Sequence, residues 1–332
     1  MPGVEHVVII VKENHTFDNY FGGFPGANGK SIGAVPDPAD DPRHDHETCL
    51  RALNGTGGVQ ASYSDTDIGA YWSYAREYTL CDNYFTDVAS QSEPNHLYTF
   101  AAHSPIIDNA SKSRTYQPQP PYDLYTLPQA LEEKQLTWKH YSGTDSSYFE
   151  QVTWLKGKQN NVDISQFDAD AAADGGLASV SWLFAPSGLS EHPGDRGPDG
   201  NPAGPAPGMN WTVDRISAVR NGPSWQSSAI FVTWDDWGGW YDHVLPPNHE
   251  PWPGDGPVKA TIPYRNSQFR FGYRVPCLVI GPSAKAQHVE SSFYSHVSLV
   301  KFCIRLFSLK AWDVPALAKD DPSGDMWECF NF

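Results

Sequence analysis

No stretch of this chain is apolar for long enough to cross a bilayer as a helix, which takes about 20 consecutive apolar residues, so a transmembrane segment is not expected. Cysteine is sparse. Cys49, Cys81, Cys277, Cys303 and Cys329 are scattered, odd in number and without a Cys-x-x-Cys pair. That argues against a thiolate zinc site and leaves one or two disulfides open. Positive charge is also short: 23 Lys and Arg stand against 39 Asp and Glu, a formal net charge of −16. A surface of that sign repels phosphate backbones and anionic lipid, so nucleic acid is not an expected partner. An anionic substrate is not excluded, because a bound cation reverses the sign locally. The opening residues, Met1-Pro-Gly-Val-Glu-His6, lack a basic region followed by an apolar run. No secretory signal is therefore expected in the chain as it stands. The compartment stays open between the cytoplasm and a secreted form whose leader has been removed.

What the chain does have is length for a sizeable core and abundant aromatics: 12 Trp, 16 Tyr and 16 Phe. Its 28 Gly and 28 Pro are interspersed with apolar residues, which indicates many loops rather than disorder. No internal repeat or composition shift marks a boundary. The expectation is one domain over residues 1–332, with Pro/Gly-rich loop insertions near 25–45, 194–208 and 246–257.

Ala229 to Thr233 reads as a strand buried on both faces and His6 to Val11 as a buried strand, and Leu136 to Tyr141, Val180 to Ala185 and Val275 to Ile280 read as further strands. Thr79 to Phe85 reads as strand or extended. Helical spacing is found over Glu47 to Leu53, Tyr71 to Tyr78, Asn95 to Ala102, Asp123 to Lys134, Asn210 to Arg220 and Ser295 to Phe307. Asp168 to Gly175 reads as an acidic turn. Strands alternating with helices predict an α/β fold with a largely parallel sheet.

Polar residues recur where these strands end. Glu13-Asn14 follows the first, Glu191-His192 follows Val180 to Ala185, and Asp235-Asp236 follows Ala229 to Thr233, ahead of Gly238-Gly239. His44 and His46 close a polar loop, and Ser92 lies just before a helix start, where unpaired N–H groups favour an anion. Ligands of open α/β sheets collect at the C-terminal ends of strands. Three carboxylates (Glu13, Asp235 and Asp236) with an amide and a hydroxyl oxygen suit a hard cation. A hydroxyl beside a cation loses its proton more readily and becomes a nucleophile, and histidines can contact phosphate oxygens or protonate a leaving group. Each residue taken singly has a plainer explanation, as a turn, a cap or a solvated side chain. The repeated placement is what carries weight.

These blocks resemble, almost end to end, the phosphoesterase family that contains non-specific phospholipases C and a group of acid phosphatases. The resemblance lies in Glu13-Asn14-His15-Thr16-Phe17-Asp18-Asn19-Tyr20-Phe21-Gly22, in Thr79-Leu80-Cys81-Asp82-Asn83-Tyr84-Phe85 with Ser92-Glu93-Pro94-Asn95-His96, in Ser190-Glu191-His192-Pro193, in Thr233-Trp234-Asp235-Asp236-Trp237-Gly238-Gly239, in Arg274-Val275-Pro276 and in Tyr294 to Lys301. It implies an alkaline-phosphatase-like core, a three-layer α/β/α sandwich. It implies Glu13, Asn14, Ser92, Asp235 and Asp236 as metal ligands, and Ser92 also as the nucleophile of a phospho-enzyme. His192, with His46 or His44, would contact the phosphoryl group or serve the leaving group. Oxygen ligands favour Ca²⁺, Mg²⁺ or Mn²⁺, and the histidines leave Zn²⁺ or Fe open.

The chain departs from the family pattern at His96, where Arg is usual, and at Ser295, where Asp is usual. The substrate expected is a phosphate ester, with a phospholipid diester and a phosphomonoester as the two readings. The diester reading needs an apolar surface beside the site, for which Trp237, Trp240 and Tyr241 are the candidates.

Overall fold

The runs read as buried strands form the middle of a central sheet. The computed structural model describes residues 3–33, 40–143, 147–196, 200–247, 270–310 and 321–332. Eight strands make up this sheet: β1 (His6–Lys12), β2 (Thr79–Cys81), β4 (Trp138–Ser142), β5 (Asn161–Asp163), β6 (Val180–Phe184), β7 (Ser228–Trp234), β8 (Cys277–Ile280) and β9 (His288–Glu290). Their order is β5-β4-β6-β1-β7-β8-β2-β9. β3 (Tyr84–Phe85) and β10 (Tyr294–Ser295) form a separate parallel pair.

From β5 to β7 every neighbouring pair is parallel. β8 runs antiparallel to both β7 and β2, so the sheet is mixed on that side. Every residue of β6 and β7, and β1 from Val7 onward, is buried. Val, Ile and Phe without polar alternation suit such a position, because both sheet faces are covered.

The helices are α1 (Phe17–Phe21), α2 (His46–Leu53), α3 (Gly69–Glu77), α4 (Ser92–Ala101), α5 (Leu127–Glu133), α6 (Phe167–Ala172), α7 (Pro205–Asn221) and α8 (His296–Leu306). α4 packs on α8 and α5, and α7 packs on α6 and α3. The result is the three-layer α/β/α sandwich. Val297, Leu299, Val300, Phe302 and Cys303 turn the apolar face of α8 inward.

The structure corrects several element readings. α5 starts at Leu127 rather than Asp123, because Thr126 and Gln129 form a capping box there. Ser92 is the first residue of α4 rather than its predecessor. The acidic segment expected as a turn overlaps α6. α7 begins at Pro205, inside the segment expected as a loop, with proline in the first turn where a missing N–H costs nothing. The insertion expected near 246–257 lies mostly outside the described residues. All five cysteines are free and buried, so the disulfides left open by the sequence are not formed.

Candidate active site

The register of three strands assembles the centre. Val11 pairs with Phe184 on one side and Thr233 on the other, and Lys12 pairs with Trp234. The residues that follow, Glu13, Ala185 and Asp235, therefore emerge side by side at one sheet edge. Asp235 N–H donates to the Lys12 carbonyl and Glu13 N–H to the Ser190 carbonyl, both at 2.9 Å. Asn14 adopts φ 62°, an uncommon conformation outside glycine, and its N–H donates to Asp235 Oδ1 at 2.9 Å. Gly238, at φ 57°, lets the chain after Asp236 turn so close to Asn14 that a Cβ would collide with its carbonyl oxygen.

α4 brings the hydroxyl. Ser92 Oγ lies 3.1 Å from Glu13 Oε2, 3.2 Å from Asp236 Oδ2 and 3.4 Å from Asn14 Oδ1. The Asn14 amide oxygen also lies 3.1 Å from Glu13 Oε2 and 3.2 Å from Asp235 Oδ1, so it faces only acceptors. Two oxygens bound to one small cation at about 2.1–2.4 Å stand roughly 3–3.5 Å apart, so these separations match the edges of a coordination shell. The alternative is the rotated amide, which donates to both carboxylates and accepts from His44 Nε2 at 3.3 Å and His192 Nε2 at 3.0 Å.

The charge state points the same way. Burial, then Glu13, pushes Asp235 up to about 7, and burial with Asp235 pushes Asp236 well above the usual carboxylate range. Asp235 Oδ2 is buried and has no hydrogen-bond partner. Carboxylates crowded without a counter-charge are what a divalent ion neutralises, and the donor set fits one. Glu13, His96 and Asp235 form one acid and histidine cluster able to hold a metal, and Asp41, His44 and His192 form a second.

A cavity of about 260 Å³ opens over this cradle, lined by Glu13, Ser92, Asn109, Tyr148, Ala185, Ser187, Ser190, His192 and Asp195. His192 turns into it because its neighbour turns away. Glu191, at φ 73°, faces inward, paired with Lys12 at 3.3 Å. Glu191 also accepts hydrogen bonds from Tyr20, Tyr71 and Trp234 at 2.7, 2.5 and 3.1 Å. It is thus a fully partnered structural acid and takes no part in the cation cradle. Burial opposes a charge on His192, but Glu13, Asp41 and the Pro193 carbonyl outweigh it and raise its pKa.

His44 donates from Nδ1 to the Pro42 carbonyl at 2.6 Å and aims Nε2 at the Asn14 amide and Asp236. His46 does not line the cavity. It is fully buried, donates to the Ala89 carbonyl at 2.6 Å, and burial lowers its pKa. Of the two histidines left open by the sequence, His44 is the one brought to the centre.

Other expectations change as well. The Glu93 N–H in the first turn of α4 is taken by Asn109 Oδ1 at 2.8 Å, so it is not open to an anion. Trp237 and Trp240 are buried, Trp237 stacked on Tyr273 and Trp240 on His15, so they present no apolar ledge. Ser295 caps α8 and forms a capping box with Ser298, a role open to Ser and Asp alike. His296, next in the chain, accepts from Tyr84 and donates to the Asp235 carbonyl at 2.7 Å.

The residue that sequence reading underrated is His96. Its Nε2 stands 3.0 Å from Glu13 Oε1 and 3.6 Å from Asp235 Oδ2. The signal was its spacing: four residues after Ser92, it shares that residue's helix face. Asn109 and Tyr148 were reachable only through tertiary contacts.

The oxygen-rich cradle lies at the C-terminal edge of the central sheet in a three-layer α/β/α fold that other solved structures share. A lipoteichoic acid synthase from Listeria monocytogenes shares the fold, with a TM-score of 0.52, 12% identity and coverage of 97% of this chain and 75% of its own. The chain belongs to the Phosphoesterase family, whose model matches residues 4–38 and 39–310. A non-hemolytic phospholipase C of Pseudomonas aeruginosa is 26% identical over 406 residues, covering 99% of this chain and 57% of that protein. Phospholipase C B of Mycobacterium tuberculosis is 26% identical over 426 residues, covering 99% and 78%. The chain thus spans little more than half the length of the first of these relatives. No described helix is long and apolar enough to cross a membrane.

Proposed function

We propose that the protein is a metal-dependent phosphoric ester hydrolase of the phospholipase C type, acting through Ser92. The observation that carries this is the convergence of Glu13, Asn14 and Asp236 oxygens within 3.1–3.4 Å of Ser92 Oγ at the floor of a cavity that His192 also lines. A divalent ion held by Glu13, Asn14, Asp235, Asp236 and Ser92 would favour the ionised hydroxyl and offset charge on the phosphoryl oxygens. Mn²⁺ suits a shell that mixes carboxylate, amide and imidazole neighbours.

Ser92 Oγ attacks phosphorus, forming an Oγ–P bond as the bond to the leaving oxygen breaks. His192, kept readily protonated by the acids around it, gives the leaving oxygen its proton. Water then gives a proton back to His192 and attacks phosphorus, the Oγ–P bond breaks, and inorganic phosphate or a phosphorylated head group departs with Ser92 restored. His44 faces the same centre and contacts the phosphoryl oxygens. Most of the catalysis in this scheme is positioning and electrostatics.

The relatives favour a phospholipid diester, cleaved on the glycerol side of the phosphate. A second reading, a phosphomonoesterase, is favoured by the cavity itself: among the described residues only Tyr148 and Ala185 give it apolar wall. Turnover of phosphatidylcholine and p-nitrophenylphosphorylcholine against p-nitrophenyl phosphate separates the two. Ser92→Ala should cost roughly a thousandfold or more in kcat on whichever is the substrate. Hydrolysis left unchanged by that substitution would remove the nucleophile assignment.

A further inference from the structure

We propose that His96 is a nitrogen ligand of the cation, bound through Nε2 on the side of Glu13 and Asp235 that faces away from Ser92. The idea rests on the metal-site reading above and adds to it a donor that tilts the centre away from Ca²⁺ and Mg²⁺ toward Mn²⁺ and its transition-metal neighbours.

Each carboxylate in the pair has two oxygens with different surroundings. Glu13 Oε2 faces Ser92, whereas Oε1 faces His96. Asp235 Oδ1 accepts the Asn14 N–H, whereas Oδ2 is buried with no hydrogen-bond partner and lies 3.6 Å from His96 Nε2. As a lone N–H donor, Nε2 can serve Glu13 at 3.0 Å and leaves Asp235 Oδ2 stranded. A cation between the three atoms engages all of them. The 3.0 Å separation matches adjacent donors bound at about 2.1 Å on an octahedron, and the 3.6 Å one is wider than that edge.

The ring is held for this purpose. His96 is fully buried, lies flat on Tyr148 at 4.0 Å and meets Phe184 edge-on at 4.5 Å. A metal takes the lone pair of a neutral imidazole, and the ring's stacking leaves Nε2 facing the two carboxylates. An imidazole in an otherwise oxygen shell adds little for Ca²⁺ or Mg²⁺ and much for metals later in the Irving–Williams order.

The test uses Mn²⁺ alone with the whole chain. Pulsed EPR of the Mn²⁺-loaded wild type should show ¹⁴N coupling that disappears in His96→Gln, while Mn²⁺ affinity by calorimetry falls at least tenfold and Ca²⁺ affinity changes less than threefold. His96→Arg, which installs the residue usual in the family and offers no coordinating lone pair, should lose the same ¹⁴N coupling with the fold intact by circular dichroism. Bound Mn²⁺ with no nitrogen coupling in the wild type overturns the assignment without any variant. Coupling that persists in folded His96→Gln also overturns it, by assigning the nitrogen to His44 or His192. Either result leaves the oxygen site standing, whereas failure of the wild type to bind Mn²⁺, Ca²⁺ or Mg²⁺ at all would sink the metal reading itself.

Discussion

Replacing Lys12 by methionine removes the cation from an ion pair sealed from water. The Lys12 and Glu191 side chains are both fully buried, 3.3 Å apart. Lys12 also donates to the Leu189 and Gly208 carbonyls and lies over the Trp211 ring at 4.8 Å. Methionine fills nearly the same volume, so no large cavity opens and the loss is electrostatic. Breaking one side of a buried pair costs about 3–5 kcal/mol, because the remaining charge stays buried.

Here Glu191 keeps three donors, Tyr20, Tyr71 and Trp234, so the lower end, about 3 kcal/mol, is expected. For a chain of this size that is a fall in Tm of roughly 4 °C. Urea unfolding followed by tryptophan fluorescence reads the free energy. Lys12→Met with Glu191→Gln should recover at least about 1 kcal/mol, since a neutral amide is cheaper to bury than a lone carboxylate. Turnover should fall more in the single variant, because Glu191 anchors the loop that aims His192. A single variant within about 1 kcal/mol of wild type would refute the claim that this pair holds the loop.

His140 is fully buried, stacked on Phe149, and neither of its nitrogens has a hydrogen-bond partner; burial lowers its pKa to about 3. The unfolded chain binds this proton near pH 6.5 and the folded chain does not, so its contribution is present above pH 6.5 and lost as pH falls toward 3. Between pH 7.5 and 5 the loss is about 2 kcal/mol. His140→Phe should therefore raise Tm relative to wild type at pH 5 and change it little at pH 7.5, as scanning calorimetry would register. Gly238→Ala should destabilise by about 2 kcal/mol or more and lower metal content measured by elemental analysis, because its Cβ would strike Asn14. Extended dialysis against a chelator should abolish hydrolysis, and added Mn²⁺ should restore it; full activity in metal-free protein would exclude the proposed role of Asp236.

The centre of the fold was legible because β1, β6 and β7 are apolar on both faces, which only a covered sheet accommodates. Glu13, Asn14, Asp235 and Asp236 were legible because they break those runs. Side-chain direction in irregular backbone was not. Glu191 and His192 are adjacent and both polar, and nothing in their order says that a positive φ sends the first inward to Lys12. Trp237 and Trp240 suggested a ledge, but burial depends on Tyr273 and His15, which lie far away in sequence. The antiparallel run of β8 was hidden too, since a short apolar strand reads the same in either direction. β5 and β9, three residues each, carry too little pattern to stand out.

The pairing of Lys12 with Trp234 has a consequence for how the site fails. Glu13-Asn14 and Asp235-Asp236 are fixed by adjacent central strands, whereas His44 and His192 sit on loops outside the sheet. Slipping one strand by a residue would turn every core side chain of β1 or β7 to the opposite face, so the acidic half is tied to the survival of the whole sheet. The histidine half can loosen on its own. Mild denaturant should therefore separate two properties that go together at rest, with cation binding persisting after turnover has gone.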